Sequence, residues 1–487
     1  PLRFAANVQI VMGLLAALSV IVFSLSFGGM SVLYQLVPHT DDGYRWFMLG
    51  SHGIALAVMF PTTFVAGMTL PLFTHVLMRE GTGEAAIGRI YAANTVGGIA
   101  GVLFAMHVGL PLLGLKFTIG VGALLDVGLG AALLMLLPRA DRRLPLLRNA
   151  VPALLIVVAV MVTINISKEV LTSGVYRSGA VDAPLGAEVV YYQDGKTATV
   201  SVRRDAPPGG QAIATNGKAD ASVQLNAGLP PTSDEATMVM LAALPVAYKP
   251  DLRTAAVIGL GSGLSTHVLL AAPGLSQVDT IEIEPAMVAG ARLFGERVHR
   301  AFDDPRSHIR IEDAKAFFAQ RHQQYDVIVS EPSNPWVSGV AGLFSTEFYG
   351  RVRTYLADDG LLVQWIHYYE FNDDLVVSIL KALGPHFRDY AVYSIGYGDG
   401  IIVASTAKML PSPDFQRIFS GPMGDEVRRV GYRASFDIAL AQIGTRETLA
   451  ELVNRSAAPA NSDYYPYVDL HAVRARFKGE EAVSFMR

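Results

Sequence analysis

The sequence predicts two halves built for different solvents. An N-terminal all-α transmembrane bundle is followed by a C-terminal α/β domain with a parallel, doubly wound sheet and a small antiparallel β-subdomain. Three observations carry this. Charged residues are sparse over 1–166 and ordinary in number over 167–487. Five stretches of the first part are apolar over the length a bilayer requires, about 20 residues. From Thr254 onward, strand, turn and helix patterns repeat in alternation, as parallel sheets demand. The expected boundaries are 1–167 for the helical domain, 168–248 for the β-subdomain with its linking helix, and 249–487 for the α/β domain.

Hydrophobic residues make up 51% of the 487-residue chain and charged residues 17%. Soluble domains carry about 25% charge. The net charge of -4 comes with no basic face, so nucleic acid is not an expected partner. The chain has no cysteine, which removes disulfides, thiolate metal sites and cysteine nucleophiles. No cleavable signal is expected, because the first apolar run is too long and lacks a small-residue cleavage pattern.

The five candidate spans are 8–27, 47–73, 92–113, 117–137 and 150–166. The second carries Pro61 and Pro71 and is expected to kink or tilt. The third holds Ala92, Ala93, Gly97, Gly98 and Gly101, small residues suited to close helix packing. Asp126 is the one acid expected inside a span. Arg3, Arg79, Arg89, Arg139, Arg142, Arg143 and Arg148 fall on the side of the N-terminus, against Arg45 and Lys116 on the other. This bias puts residues 138–149 in the cytoplasm and the C-terminal domain outside. A nucleoside ligand made in the cytosol points the other way, and the two indications conflict.

Residues 186–204 alternate apolar and polar around Asp194-Gly195, a hairpin signal, and a second pair of short runs surrounds Asn216-Gly217. A helix is expected over 234–247. Strands follow at 254–258, 278–283, 308–311, 325–330 and 361–365, and the tail after 405 reads as helices with a turn or cap at Asn461-Ser462-Asp463. In such sheets ligands sit at the carboxyl ends of the strands, and the polar motifs all fall there.

Gly259, Gly261, Ser262 and Gly263 make a glycine turn after the first of these strands, where the backbone can approach a ligand closely. Leu264 stands where a dinucleotide site expects its third glycine, so a nucleoside without pyrophosphate fits better than NAD. Glu282, about 20 residues on, is placed to accept ribose hydroxyls. Glu284 is the weaker candidate. Asp313 ends the third strand and suits either an adenine amine or the N-cap of the next helix. Glu331 and Asn334 end the fourth. Glu331 sits beside an apolar run that would raise its pKa toward that of a general base, and Asn334 reads equally as a turn residue. Trp365, His367, Tyr368 and Tyr369 lie at or after the end of the fifth strand and line either a pocket or the core.

The runs VIGLGSG, IEIEPAMV, IEDAKAFF and YDVIVSEPSNPW, in this order, resemble spermidine synthase and related polyamine aminopropyltransferases over residues 187–405. FPTTFVAGMTLPLF, GRIYAANTVGGIAGVLF, TNGKADAS and NSDYYPY resemble the membrane-fused, spermidine synthase-like proteins of bacteria, which often have two further helices upstream that this chain is expected to lack. The resemblance implies a Rossmann-like domain shared with methyltransferases and a place in a bacterial inner membrane, with the bilayer as a partner. It implies aminopropyl transfer from decarboxylated S-adenosylmethionine to an amine with release of methylthioadenosine, no metal, and a homodimer. It gives Glu282 the ribose, Asp313 the adenine and Glu331 the amine proton. Three departures stand out: Ser262 and Asn334 where the family usually has Asp, and Met238 and Ala243 in a segment that usually supplies Tyr or Gln and His. Fewer acids predict a poorer site for a diamine and leave room for intact S-adenosylmethionine. A methyltransferase and a non-catalytic nucleoside sensor or transporter are the alternative readings.

Overall fold

The computed structural model describes residues 1–79, 83–181, 186–321, 323–396 and 398–486; the parts of the expected domains at 80–82, 182–185, 322, 397 and 487 lie outside the described residues. The chain divides into two compact units. One is Pro1–Pro38, Arg45–Ala183 and Gln193–Thr199, and the other is His39–Tyr44, Pro184–Tyr192 and Val200–Arg487.

Among the described residues of the first unit, four helical stretches are long and apolar enough to cross a membrane by length and composition: Leu2–Leu36, Asp41–Arg79, Ala85–Met135 and Arg139–Thr163. The 51-residue stretch is broken at Gly114, where φ is +76°. A Cβ on Gly109 would lie 2.8 Å from Thr118. Residues nine apart on a straight helix are about 13 Å apart, so the chain folds back here. The expected segments 92–113 and 117–137 lie on either side of this turn.

Close packing in this unit comes from glycines other than those expected. A Cβ on Gly13 would meet the Ala123 carbonyl at 2.5 Å, and one on Gly130 the Ala6 carbonyl at 2.7 Å. Helix Leu2–Leu36 thereby lies backbone-to-backbone on Gly114–Met135, around Ala6, Ile10, Ala123 and Val127. A Cβ on Gly97, Gly98 or Gly101 would meet nothing within 4 Å among the described residues, which corrects the expectation for that stripe. Asp126 lies mid-helix, its Cβ 3.0 Å from a Cβ built on Gly13.

Two sheets follow the helical stretches. The small one has strands β1 (Glu188–Asp194), β2 (Thr199–Arg204), β3 (Gln211–Thr215) and β4 (Lys218–Val223) in that order. Asn216 and Gly217 join β3 to β4 with φ of 50° and 79°, the left-handed pair that a tight hairpin turn requires.

The large sheet contains β5 (Thr254–Ile258), β6 (Gln277–Glu282), β7 (Ser307–Ile311), β8 (Tyr325–Ser330), β9 (Leu356–His367), β10 (Asp389–Ile395), β11 (Asp399–Ser405) and β12 (Gln442–Thr445), ordered β12-β10-β11-β9-β8-β5-β6-β7. The pairs among β5 to β9 are parallel, and β10, β11 and β12 add an antiparallel edge. β12 corrects the all-helical reading of the tail. The chain adds β6 and β7 on one side of β5 and β8 and β9 on the other, and this switch in strand order opens a crevice at the carboxyl ends of β5 and β8.

Helix Ser233–Tyr248 is buried along most of its length, Met238 to Leu244 being at most 3% exposed. It joins both sheets in one core with Val202, Ile213, Val257 and Val329. At its start Glu235 accepts from the Thr232 amide at 2.9 Å, a capping contact.

Candidate active site

The site is built from backbone first. Gly259, Gly261 and Gly263 have φ of 93°, 51° and 88°, left-handed values that favour glycine. A Cβ on Gly259 would lie 2.4 Å from the Glu331 carbonyl, so this glycine lets the turn after β5 close against the end of β8. The Ser262 hydroxyl is fully buried, donates to Met238 Sδ at 3.2 Å and accepts from the Leu264 amide at 3.3 Å. It therefore braces the turn from inside.

Glu282 closes the turn from the neighbouring strand. Its two oxygens accept from the Leu260 amide at 3.1 Å and the Glu284 amide at 2.9 Å. Burial pushes its carboxyl up to about 7, against those two bonds, with Asp220 and Glu284 adding repulsion. Glu284 caps the helix after β6 through the Ala286 amide at 3.0 Å. Asp313 is exposed, one strand farther out, and accepts from the Ala316 amide at 2.9 Å as an N-cap.

Glu331 stands at the carboxyl end of β8, partly accessible, and accepts the Ser265 hydroxyl at 2.5 Å. Burial lifts its carboxyl to about 7, the serine pulls the other way, and Asp399 and Asp234 add like charge. Asn334 is fully buried, and neither atom of its amide has a partner among the described residues. A buried amide without partners costs free energy, so this side chain is not explained as a turn residue alone.

The structure also brings residues from other segments into the neighbourhood. Asp220, from β4, accepts Lys218 Nζ at 3.1 Å and the Ser333 hydroxyl at 2.7 Å, and its other oxygen is buried without a partner among the described residues. Lys218 is 4% exposed. Asp399, at the start of β11, accepts Thr237 Oγ1 at 2.7 Å and Trp365 Nε1 at 3.2 Å. Burial raises Asp399 to about 6, with Asp234 adding repulsion. Besides the acids at the ends of the parallel strands, β4 supplies Asp220, the helix after it Asp234 and the β10–β11 hairpin Asp399. Of the aromatic candidates, Trp365 reaches the site through Asp399, whereas His367 and Tyr368 are fully buried in the core.

A cleft of about 540 Å³ lies instead at the amino ends of β8 and β9, lined by Gln324, Arg353, His386, Arg388 and Lys408, and holds none of these residues.

Comparison with known proteins places the same segment. Residues 235–417 match the spermine/spermidine synthase domain. The chain is 34% identical over 165 residues to the polyamine aminopropyltransferase of Moorella thermoacetica, covering 33% of this chain and 58% of that one. It is 26% identical over 340 residues to polyamine aminopropyltransferase 1 of Streptomyces coelicolor, covering 68% of this chain and 60% of that one. The crystal structure of spermidine synthase from Thermotoga maritima aligns with 55% of this chain and 88% of its own, at 18% identity and a TM-score of 0.42. The chain thus spans under two thirds of the length of these two curated relatives. Glu282, Asp313, Glu331, Asn334 and Asp399 all lie within the stretch that is similar to the spermine/spermidine synthase domain, a transferase domain.

Proposed function

We propose that this chain is a membrane-anchored alkyl transferase of the aminopropyl type. It takes decarboxylated S-adenosylmethionine and an amine, and releases methylthioadenosine. The observation that carries the reading is Glu331: a carboxyl held near pH 7 at the strand end, beside the glycine turn, with Ser265 fixing one oxygen. The acceptor nitrogen attacks the carbon bonded to the sulfonium. The C–N bond forms, the C–S bond breaks, and its electron pair leaves on sulfur as a neutral thioether. The proton shed by the nitrogen goes to Glu331. A base whose pKa lies near the working pH is suited to this, and the remaining demand is in-line positioning.

Glu282 lies one strand from Glu331 across β5, which fits a ribose between them, and Asp313, farther along the sheet, keeps one carboxylate oxygen for a base amine. The four apolar helical stretches support anchoring in a bacterial inner membrane. The sulfonium nucleoside is cytosolic, so the proposed activity requires the transferase domain on the cytoplasmic side.

The test is nucleoside analysis after incubating the purified full chain with decarboxylated or intact S-adenosylmethionine and a panel of amines. Methylthioadenosine that appears only with the decarboxylated form and an amine is the expected result. S-adenosylhomocysteine would assign methyl transfer instead, and binding without any product would leave a sensor.

A further inference from the structure

The pole of the large sheet opposite Glu331 has no part in the transfer chemistry. There a cleft of about 540 Å³ opens at the amino ends of β8 and β9. Three further segments close it: the last turn of helix Thr346–Thr354, the residues leading into β10 and those following β11. They contribute Arg353, Arg388 and Lys408 in that order, with His386 two residues before Arg388. Asp358 is the one acid in the lining.

Among the described residues, the side chains of Arg353, Arg388 and Lys408 make no hydrogen bond and no ion pair. The nearby acids are taken elsewhere. Asp359 pairs with Lys249 at 2.5 Å. Asp389 turns its two oxygens to the Tyr390 and Leu410 amides, each at 2.9 Å. Glu347 accepts the Ser462 hydroxyl and the Asp463 amide. Burial first, and then the Arg353 guanidinium, hold the His386 imidazole below its ordinary value. A helix C-terminus alone would account for Arg353, but Arg388 and Lys408 lie on no helix. A cleft lined by one sign of charge gathers counter-ions.

The walls of the cleft are fixed. Thr406 Oγ1 donates to the Asp358 carbonyl at 2.8 Å and to the Ala357 carbonyl at 3.0 Å, tying the end of β11 to the start of β9. His386 Nε2 and Thr346 Oγ1 share a hydrogen bond of 2.8 Å, and the ring lies against Gly350, where a Cβ would come within 3.0 Å of it. Two guanidinium forks and an ammonium suit the oxygens of a phosphate, whereas a carboxylate would occupy one fork. The volume falls in the range of small-molecule sites, about 300–1,000 Å³, and Gln324 and Thr354 add amide and hydroxyl groups for the rest of such a ligand. We propose that this cleft is a second binding site, which takes the phosphate of an organic phosphate ester on Arg353, Arg388 and Lys408. The site is independent of the proposed transfer reaction.

The experiment titrates glycerol 3-phosphate into the purified full chain in a neutral detergent, followed by calorimetry. A second arm measures the melting temperature in mixed micelles of that detergent with phosphatidylglycerol or with phosphatidylcholine. Binding of glycerol 3-phosphate that weakens about 10- to 100-fold in Arg388→Gln and in Lys408→Gln is the result expected for a soluble ester. A melting temperature raised by phosphatidylglycerol and not by phosphatidylcholine, with the rise lost in the same two variants, makes a lipid headgroup the source of the phosphate. Without ligand both variants should melt as the parent does, because neither side chain has a partner to lose. No response to either probe, or a response that both variants keep, would overturn the proposal.

Discussion

Replacing Glu331 with glutamine removes a charge while keeping an acceptor for the Ser265 hydroxyl. The ordinary value for this carboxyl is 4.5, and in the folded chain it is raised to about 7. A raised carboxyl binds its proton more tightly folded than unfolded. Its contribution is fully present below pH 4.5 and is lost as the pH rises through 7. At pH 8 the ionised Glu331 therefore costs the fold at most about 3 kcal/mol. Glu331→Gln should recover part of that and melt at a higher temperature than the parent at pH 8, with little difference at pH 4. The same substitution removes the base, and general-base catalysis is worth about 10²–10⁴ in rate. The assays are thermal unfolding at the two pH values and methylthioadenosine release at pH 8, with methylthioadenosine binding as control. A variant that is as active as the parent refutes the role of Glu331. One that is less stable at pH 8 refutes the burial argument behind its pKa.

Further outcomes follow from other residues. Glu282→Ala strips acceptors from the buried Leu260 and Glu284 amides and should cost about 2–4 kcal/mol, read by denaturant titration, together with weaker methylthioadenosine binding. Gly259→Ala places a Cβ against the Glu331 carbonyl at φ +93° and should lower the melting temperature and displace Glu331; an unchanged melt and rate would contradict the close-approach account. Glu235 is buried and accepts from Arg297 at 2.9 Å, Arg429 at 3.3 Å and the Gln224 amide at 2.7 Å. Glu235→Ala should therefore cost about 3–5 kcal/mol, measured by unfolding, without altering the pH profile of the residual activity. Because the chain has no cysteine, a single Lys408→Cys reports topology: a membrane-impermeant maleimide should label it in lysed cells and not in intact ones.

The parallel half of the large sheet was legible for a physical reason. β5 and β8 are buried on both faces, so TAAVI and YDVIVS read as short apolar runs bounded by turns, and their limits coincide with the strands. β10, β11 and β12 form the antiparallel edge and were not found; a four-residue edge strand such as QIGT carries no periodicity. Of the site, the residues that belong to one strand end could be found from spacing alone: the glycine turn, Glu282, Asp313 and the Glu331–Asn334 loop. Lys218 and Asp220 stood in the run TNGKADAS with no role assigned to them, and Thr237 and Asp399 could not be found, because segments distant in sequence converge there. One signal was available. Thr237 is a lone hydroxyl leading into the run MVMLAALP, and a polar residue buried in such a run needs a partner, which Asp399 supplies.

The central claim is carbon transfer from a sulfonium nucleoside to an amine at the Glu331 crevice. It is tested most directly by supplying decarboxylated S-adenosylmethionine with its aminopropyl carbons isotopically labelled, and following those carbons by mass spectrometry. The account predicts that they appear on the amine in step with methylthioadenosine, and that Glu331→Gln suppresses both together. Label retained on the nucleoside, or transferred equally well by Glu331→Gln, would contradict it.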